Sequence, residues 1–174
     1  WDWKIDLDTA ECIYTAILTD TGGFRFDNTS SDVFLIASEL VKIGVNPNKV
    51  YTYCYELKSK NYIMFQNYCV QKAVFSEDNK IAYTTVYKKD LEKFHAKDDY
   101  TEGLAESLRA IDTTDIAFVV KEVEPNKISK ISMRSKLYDV AKICSNFGGG
   151  GHSRAAGWCW CCGRRLSLYY KIRC

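Results

Sequence analysis

Phe147-Gly148-Gly149-Gly150-Gly151-His152-Ser153-Arg154-Ala155-Ala156-Gly157 is the stretch on which the reading of this 174-residue chain turns. Four consecutive glycines give a backbone that can turn almost anywhere and bring its N–H groups close to an anion. His152 and Arg154 add donor side chains at the rim. A flexible glycine linker usually carries serine and more glycine on either side; here Phe147 precedes the run and His-x-Arg-Ala-Ala-Gly follows it. The stretch is therefore expected to be a phosphate-reading loop, with the amides of Gly148, Gly149, Gly150 and Gly151 as its floor.

Working outward, Tyr138 to Asn146 reads as a helix that ends in the glycine run, and Ala155 to Trp160 as a closing strand. Upstream, Asp115 to Glu124 and Lys127 to Met133 form a hairpin around Pro125-Asn126-Lys127, and Ala73-Val74-Phe75 with Ile81 to Tyr87 forms another around Ser76 to Lys80. Lys89 to Phe94 and Thr101 to Ile111 read as helices between them. This order predicts an α+β domain over 71–174 with a mixed or antiparallel sheet. Arg134, at a strand end, presents a planar fork suited to bidentate phosphate contact, while Lys136 reads as a solvated neighbour and His95 as an ordinary surface histidine.

The first part of the chain reads as helices. Asp8-Thr9-Ala10-Glu11 has the form of a capping box, and Ala10, Ile13, Ala16 and Ile17 then share a face, so a helix is expected at about 8–19. Val33, Ile36, Ala37, Leu40 and Val41 predict a core-facing second helix with Gly44 as its C-cap. Asn46-Pro47 opens a third, with Val50, Cys54 and Leu57 as its stripe. Residues 58–70 read as a seam, a linker or bridging helix. Asp20, at the end of the first helix, sits where the macrodipole disfavours a carboxylate unless a cation is near. Arg25 is expected either to face a phosphate or to pair with an acid such as Asp27.

Two stretches together carry a resemblance. The glycine run, preceded by Ser132-Met133-Arg134-Ser135-Lys136 and Asp139-Val140, resembles the substrate-binding domain of the DHH phosphoesterases, in particular the oligoribonuclease and 3′-phosphoadenosine-5′-phosphate phosphatase type. Tyr14-Thr15-Ala16-Ile17-Leu18-Thr19-Asp20-Thr21-Gly22-Gly23-Phe24-Arg25-Phe26 is similar to the last metal-binding motif of that family's catalytic domain. The resemblance covers about residues 4 to 157. It implies an α/β fragment at 1–57, the C-terminal helices of a DHH catalytic domain, ahead of the α+β domain. It also implies Asp20 as ligand to one of two Mn²⁺ ions, and Arg134, Ser135, Gly148 to Gly151, His152 and Arg154 as binders of short RNA oligonucleotides or adenosine bisphosphate. Asp98 to Gly103 matches a family loop that approaches substrate, although an acidic helix start explains it nearly as well.

The sequence departs from the family in what it lacks. No Asp-His-His occurs, and the two histidines, His95 and His152, both follow Asp20. One carboxylate cannot clamp two metal ions, so the chain is expected to be inactive alone and to act as the nucleotide-binding half of a partial phosphoesterase. A non-catalytic oligonucleotide-binding module and a cyclic-dinucleotide phosphodiesterase fragment stay open as alternatives. Beginning at Trp1 rather than Met, the chain is expected to be processed or a fragment.

Composition bounds these readings. Apolar residues make up 47% and aromatics 14%, enough for a real core. No apolar run approaches the ~20 residues of a membrane span, so no membrane partner and a cytoplasmic location are expected. Residues 1–157 hold 20 Lys+Arg against 22 Asp+Glu, because Arg164, Arg165, Lys171 and Arg173 lie in the tail. That balance argues against tight binding of long duplexes, which needs a basic face. Cys12, Cys54, Cys69 and Cys144 read as buried thiols, while Cys159, Cys161, Cys162 and Cys174 crowd an atypical tail from about 158. This tail reads as out of frame or degenerate rather than as a zinc site, and apolar surface there leaves a homodimer open.

Overall fold

The computed structural model describes residues 5–161. It divides into two compact units, Trp1–Lys58 and Ser59–Cys174. The expectations for Cys162, Cys174 and the basic tail residues lie outside the described residues.

In the first unit, α1 (Leu7–Asp20), α2 (Ser31–Ile43) and α3 (Pro47–Tyr51) pack around Ala10, Tyr14, Leu18, Ala37, Leu40, Val45 and Val50; α3 runs on into a π-helical turn, Thr52–Glu56. Side chains set the helix starts. Ser30 Oγ accepts from Val33 N–H, and Asn46 Oδ1 accepts from Lys49 N–H ahead of Pro47 at the first turn. Gly44 ends α2 at φ +123°, a conformation that other residues rarely adopt.

Several expectations need correction here. The N-cap of α1 is Asp6, whose Oδ1 accepts from Thr9 N–H at 2.8 Å, rather than Asp8. The buried stripe of α1 is Ala10, Tyr14 and Leu18, an i, i+4, i+8 row, so Ala16 falls outside it and is exposed. In α2 only Ala37 and Leu40 are buried, and Ile36 and Val41 are exposed together with Phe34 and Leu35. Leu57 of the third stripe is likewise exposed; Cys12 is an exposed thiol and Cys54 a half-buried one.

The second unit opens with α4 (Lys60–Gln71), capped by Ser59, whose Phe65 and Cys69 are fully buried. There follow β1 (Val74–Phe75), β2 (Ile81–Val86), α5 (Lys88–Lys93), a 3₁₀ turn (Asp98–Thr101), α6 (Leu104–Arg109), β3 (Ile116–Glu124), β4 (Ile128–Ser135), α7 (Val140–Ser145), β5 (Gly150–His152) and β6 (Ala155–Cys161). The six strands form one mixed sheet in the order β1-β2-β3-β4-β6-β5, with β2 and β3 parallel and every other pair antiparallel. The fold is thus helices followed by a mixed-sheet α+β domain.

Alternation assigns each strand two faces. Tyr83, Phe118, Ile131, Met133, Ala156 and Trp158 pack under α7 through Val140 and Cys144. On the opposite face Val86 and Val119 lie under Phe65, Cys69, Leu104 and Ala105, and Ala82 and Ala117 lie under Leu108. The alanines let α6 approach closely.

Two buried polar groups tie this layer together. Thr84 Oγ1 donates to Cys69 O at 2.7 Å, joining β2 to α4. Asp90, 3% exposed, accepts from Lys72 Nζ, Tyr68 Oη and Tyr87 N–H. Burial alone would raise its pKa, but these three donors outweigh burial and hold its carboxyl below the usual carboxylate value. The Cys69 thiol, by contrast, is pushed up to about 11 by burial.

Candidate functional site

The glycine run is not an open loop. Its first part ends α7: Phe147 and Gly149 N–H donate to Cys144 O, and Gly148 N–H donates to Ser145 O. The amides of Gly148 and Gly149 are therefore spent on helix carbonyls, as in other glycine C-caps, and do not form an anion floor. Gly150 and Gly151 continue into β5, an edge strand paired with β6. The need for glycine is steric at two positions: a Cβ on Gly149 would meet Gly157 O at 2.2 Å, and one on Gly151, at φ +144°, would meet Ala155 O at 2.5 Å. A Cβ on Gly150 would meet nothing within 4 Å.

Pairing register then brings the expected side chains into one row. Arg134 on β4 lies opposite Ala155 on β6, and Ala155 lies opposite His152 on β5. Directly opposed residues share a sheet face, and strands are spaced about 4.8 Å apart, so Arg134 and His152 flank Ala155 across roughly 10 Å. Two residues along, Ser132 faces Gly157 and Gly157 faces Gly150. The result is a shelf with a floor of Ser132, Ala155, Gly157 and Gly150 and cationic or donor walls at Arg134 and His152. It lies on the face that α4 and α6 cover over β2 and β3, but Gly150 and His152 here are exposed.

Arg134 is held in place. Its Nε donates to Glu106 Oε1 at 2.6 Å and its Nη1 donates to Met133 O at 2.9 Å, with the side chain half-buried. The fork expected to suit bidentate phosphate contact is thus partly engaged within the protein. Glu106 was not legible as a partner, being 28 residues away on α6; the available signal was an acid flanked by Ala105 and Leu108, which mark the sheet-facing side of that helix.

Ser135 proves structural. It is buried, and its Oγ accepts from Tyr138 N–H at 2.7 Å and Leu137 N–H at 3.1 Å, forming the turn into α7. Arg154 is exposed at the tip of the β5–β6 hairpin, where its carbonyl accepts from Ser135 N–H. Lys136, expected to be solvated, donates to Ile111 O at 2.6 Å and Asp112 O at 3.0 Å and so ties β4 to the end of α6. His95 is exposed, at φ +48°. The Asp98 to Gly103 stretch is a 3₁₀ turn held on α4 by Gln66, which donates to Tyr100 O and Glu102 O; through Gly103 it leads into α6 and hence to Glu106.

In the first unit, Asp20 is the last residue of α1, exposed, with Oδ2 accepting from Asn28 Nδ2 at 2.9 Å. The chain then makes three consecutive left-handed residues, Gly22, Gly23 and Phe24, at φ +57°, +75° and +63°. For Phe24 that conformation costs about 1–2 kcal/mol, and its ring is stacked on Phe34 and edge-on to Tyr14. Arg25 Nε donates to Gly22 O at 2.8 Å, which is neither an acid nor a phosphate.

The manganese site implied by the resemblance can be tested against this geometry. A two-metal centre needs several carboxylate or imidazole ligands within a few ångströms of one another. Among the described residues no group of three or more His, Cys, Asp or Glu is placed to hold a metal ion. Asp20 by itself does not fit such a centre.

Comparisons with known proteins agree with the geometry. Residues 78–158 match the DHHA1 domain. The chain is 30% identical over 155 residues to the bifunctional oligoribonuclease and PAP phosphatase NrnA of Bacillus subtilis, covering 89% of this chain and 48% of that protein. It is 28% identical over 159 residues to a probable protein of the same name from Streptococcus mutans, covering 88% and 49%. A crystal structure of an exopolyphosphatase-related protein from Bacteroides fragilis superposes with a TM-score of 0.82 at 25% identity, over 97% of this chain and 48% of that one. The chain thus spans about half the length of the curated relatives it matches. The two sequence motifs, the mixed sheet with its glycine-rich β5–β6 hairpin, and these likenesses together make the chain similar to the DHH phosphoesterases, with residues 78–158 matching the DHHA1 domain.

Proposed function

We propose that this chain supplies the substrate-holding part of a phosphoesterase acting on short RNA or adenosine 3′,5′-bisphosphate, and that its own contribution is binding rather than hydrolysis. The observation that carries the reading is the row Arg134–Ala155–His152, two donor side chains across a floor too small to obstruct a ligand. A phosphate against Arg134 and a second phosphate or a base edge near His152 would suit that spacing; Arg154 at the hairpin tip adds a further cation. The ligand class comes from the names of the relatives, oligoribonuclease and PAP phosphatase. The described residues bind and orient.

Calorimetric titration of the chain with adenosine 3′,5′-bisphosphate and with a two- to five-nucleotide RNA, without and with Mn²⁺, tests this. Binding that does not need the metal and falls at least about tenfold in Arg134→Ala/His152→Ala is expected, since charge-assisted contacts contribute about 1.5–3 kcal/mol each. Unchanged affinity in the folded double variant would refute the shelf as the site.

A further inference from the structure

We infer that Glu106 is a positioning residue: it fixes the Arg134 guanidinium so that only its outer end is offered to an anion. This rests on the reading of Arg134 as a phosphate anchor. A guanidinium has five N–H donors in a rigid plane. Nε is taken by Glu106 and one Nη1 hydrogen by Met133 O. What is left is one hydrogen on Nη1 and the pair on Nη2, an end-on fork that can meet two oxygens of one terminal phosphoryl group. Side-on approach, which would use Nε, is closed by the carboxylate.

The placement is built by the fold. Leu104, Ala105 and Leu108 seat α6 on β2 and β3, and Glu106 on the same helix thereby reaches the first strand beyond the covered ones. Arg134 is anchored from a second direction by the carbonyl of its own strand. A long side chain clamped from both sides has already lost its rotamer freedom before ligand arrives, and ordering such a side chain on binding otherwise weakens affinity severalfold. Glu106 thus acts through Arg134 and touches no ligand itself.

The inference is tested by a double-mutant cycle on adenosine 3′,5′-bisphosphate affinity, with thermal midpoints recorded for each variant. Glu106→Ala is expected to weaken binding about fivefold to tenfold, in line with the cost of re-ordering one side chain. Glu106→Gln, which keeps an oxygen acceptor for Nε, is expected to stay within about threefold of the unchanged chain. In an Arg134→Ala background Glu106→Ala is expected to do nothing more. Glu106→Ala that binds normally or more tightly while Arg134→Ala binds weakly would overturn the positioning role alone. Arg134→Ala that binds normally would overturn the anchor, and the inference with it. A loss in Glu106→Ala that Gln does not rescue and that tracks the midpoint would assign Glu106 a structural role and also overturn the inference.

Discussion

The two units handle the same kind of sequence in opposite ways. Each carries a glycine-containing motif beside a polar residue of expected function: Asp20 before Gly22-Gly23 in the first, and Gly148 to Gly151 before His152 in the second. In the first unit the glycines make a left-handed turn that closes on its own helix, with Gly23 N–H donating to Leu18 O at 2.7 Å. Asp20 is left with Asn28 as its side-chain partner. In the second unit the glycines carry the chain onto a six-stranded sheet, and register delivers His152 to the row of Arg134. A local motif fixes one residue; a strand pairing assembles several. The same difference appears in packing, since α2 keeps Phe34, Leu35 and Ile36 exposed whereas the sheet is packed by helices on both faces.

That contrast can be broken most forcefully at Gly149. Its replacement by Ala drives a Cβ against the Gly157 carbonyl and the Trp158 backbone, and overpacking of this kind costs about 1–3 kcal/mol or more. Denaturant unfolding of the second unit is expected to shift by about 3 kcal/mol, with Gly150→Ala shifting it by less than about 0.5 kcal/mol because its Cβ enters open space. Equal effects would mean that the glycine run is a free loop after all.

A second test uses acid. Asp90 has its carboxyl held low in the folded state, so it stabilises the second unit above the ordinary carboxylate range and loses that contribution as pH falls through its folded value. Asp90→Asn is expected to cost about 2 kcal/mol near neutrality, from loss of the charged Lys72 bond. It is also expected to flatten the decline of stability as pH falls below the ordinary carboxylate range. A variant that keeps the full acid dependence would place the responsible carboxylate elsewhere.

Hydrogen exchange sharpens the comparison without substitution. Amides of β3 and β4, central in the sheet, are expected to exchange more slowly than those of α2, whose exposed apolar face leaves fewer buried contacts to be broken on opening. Comparable protection in both would show the first unit to be as well supported as the second. The smallest effect is at Asn28: its change to Ala removes exposed hydrogen bonds to the Asp20 carboxylate and carbonyl, and about 0.5 kcal/mol or less is expected in the unfolding of the first unit.

What could be read beforehand was whatever is decided within a few residues. Gly44, Asn46-Pro47 and the Pro125-Asn126-Lys127 turn announce their helix ends and hairpin because capping and turn geometry are local. The stripe of α2 was legible as a stripe, but periodicity cannot say what covers it. Asp8-Thr9-Ala10-Glu11 has the composition of a capping box, but the geometry of the first turn makes Asp6 the cap. Glycines have no strand propensity to reveal β5, which exists because β6 lies alongside it. Of the proposed shelf, Arg134 and His152 stand in the motifs that the sequence shows; Glu106 does not, because 28 residues and a helix-to-sheet packing step intervene.

At the tip of the β5–β6 hairpin, Ser153 O accepts from Val140 N–H and Arg154 O accepts from Ser135 N–H, so both tip residues have their main chain tied while their side chains are exposed. Positions of that kind are where a lineage, or a saturation library, can explore new chemistry beside a binding surface without reopening the folding problem.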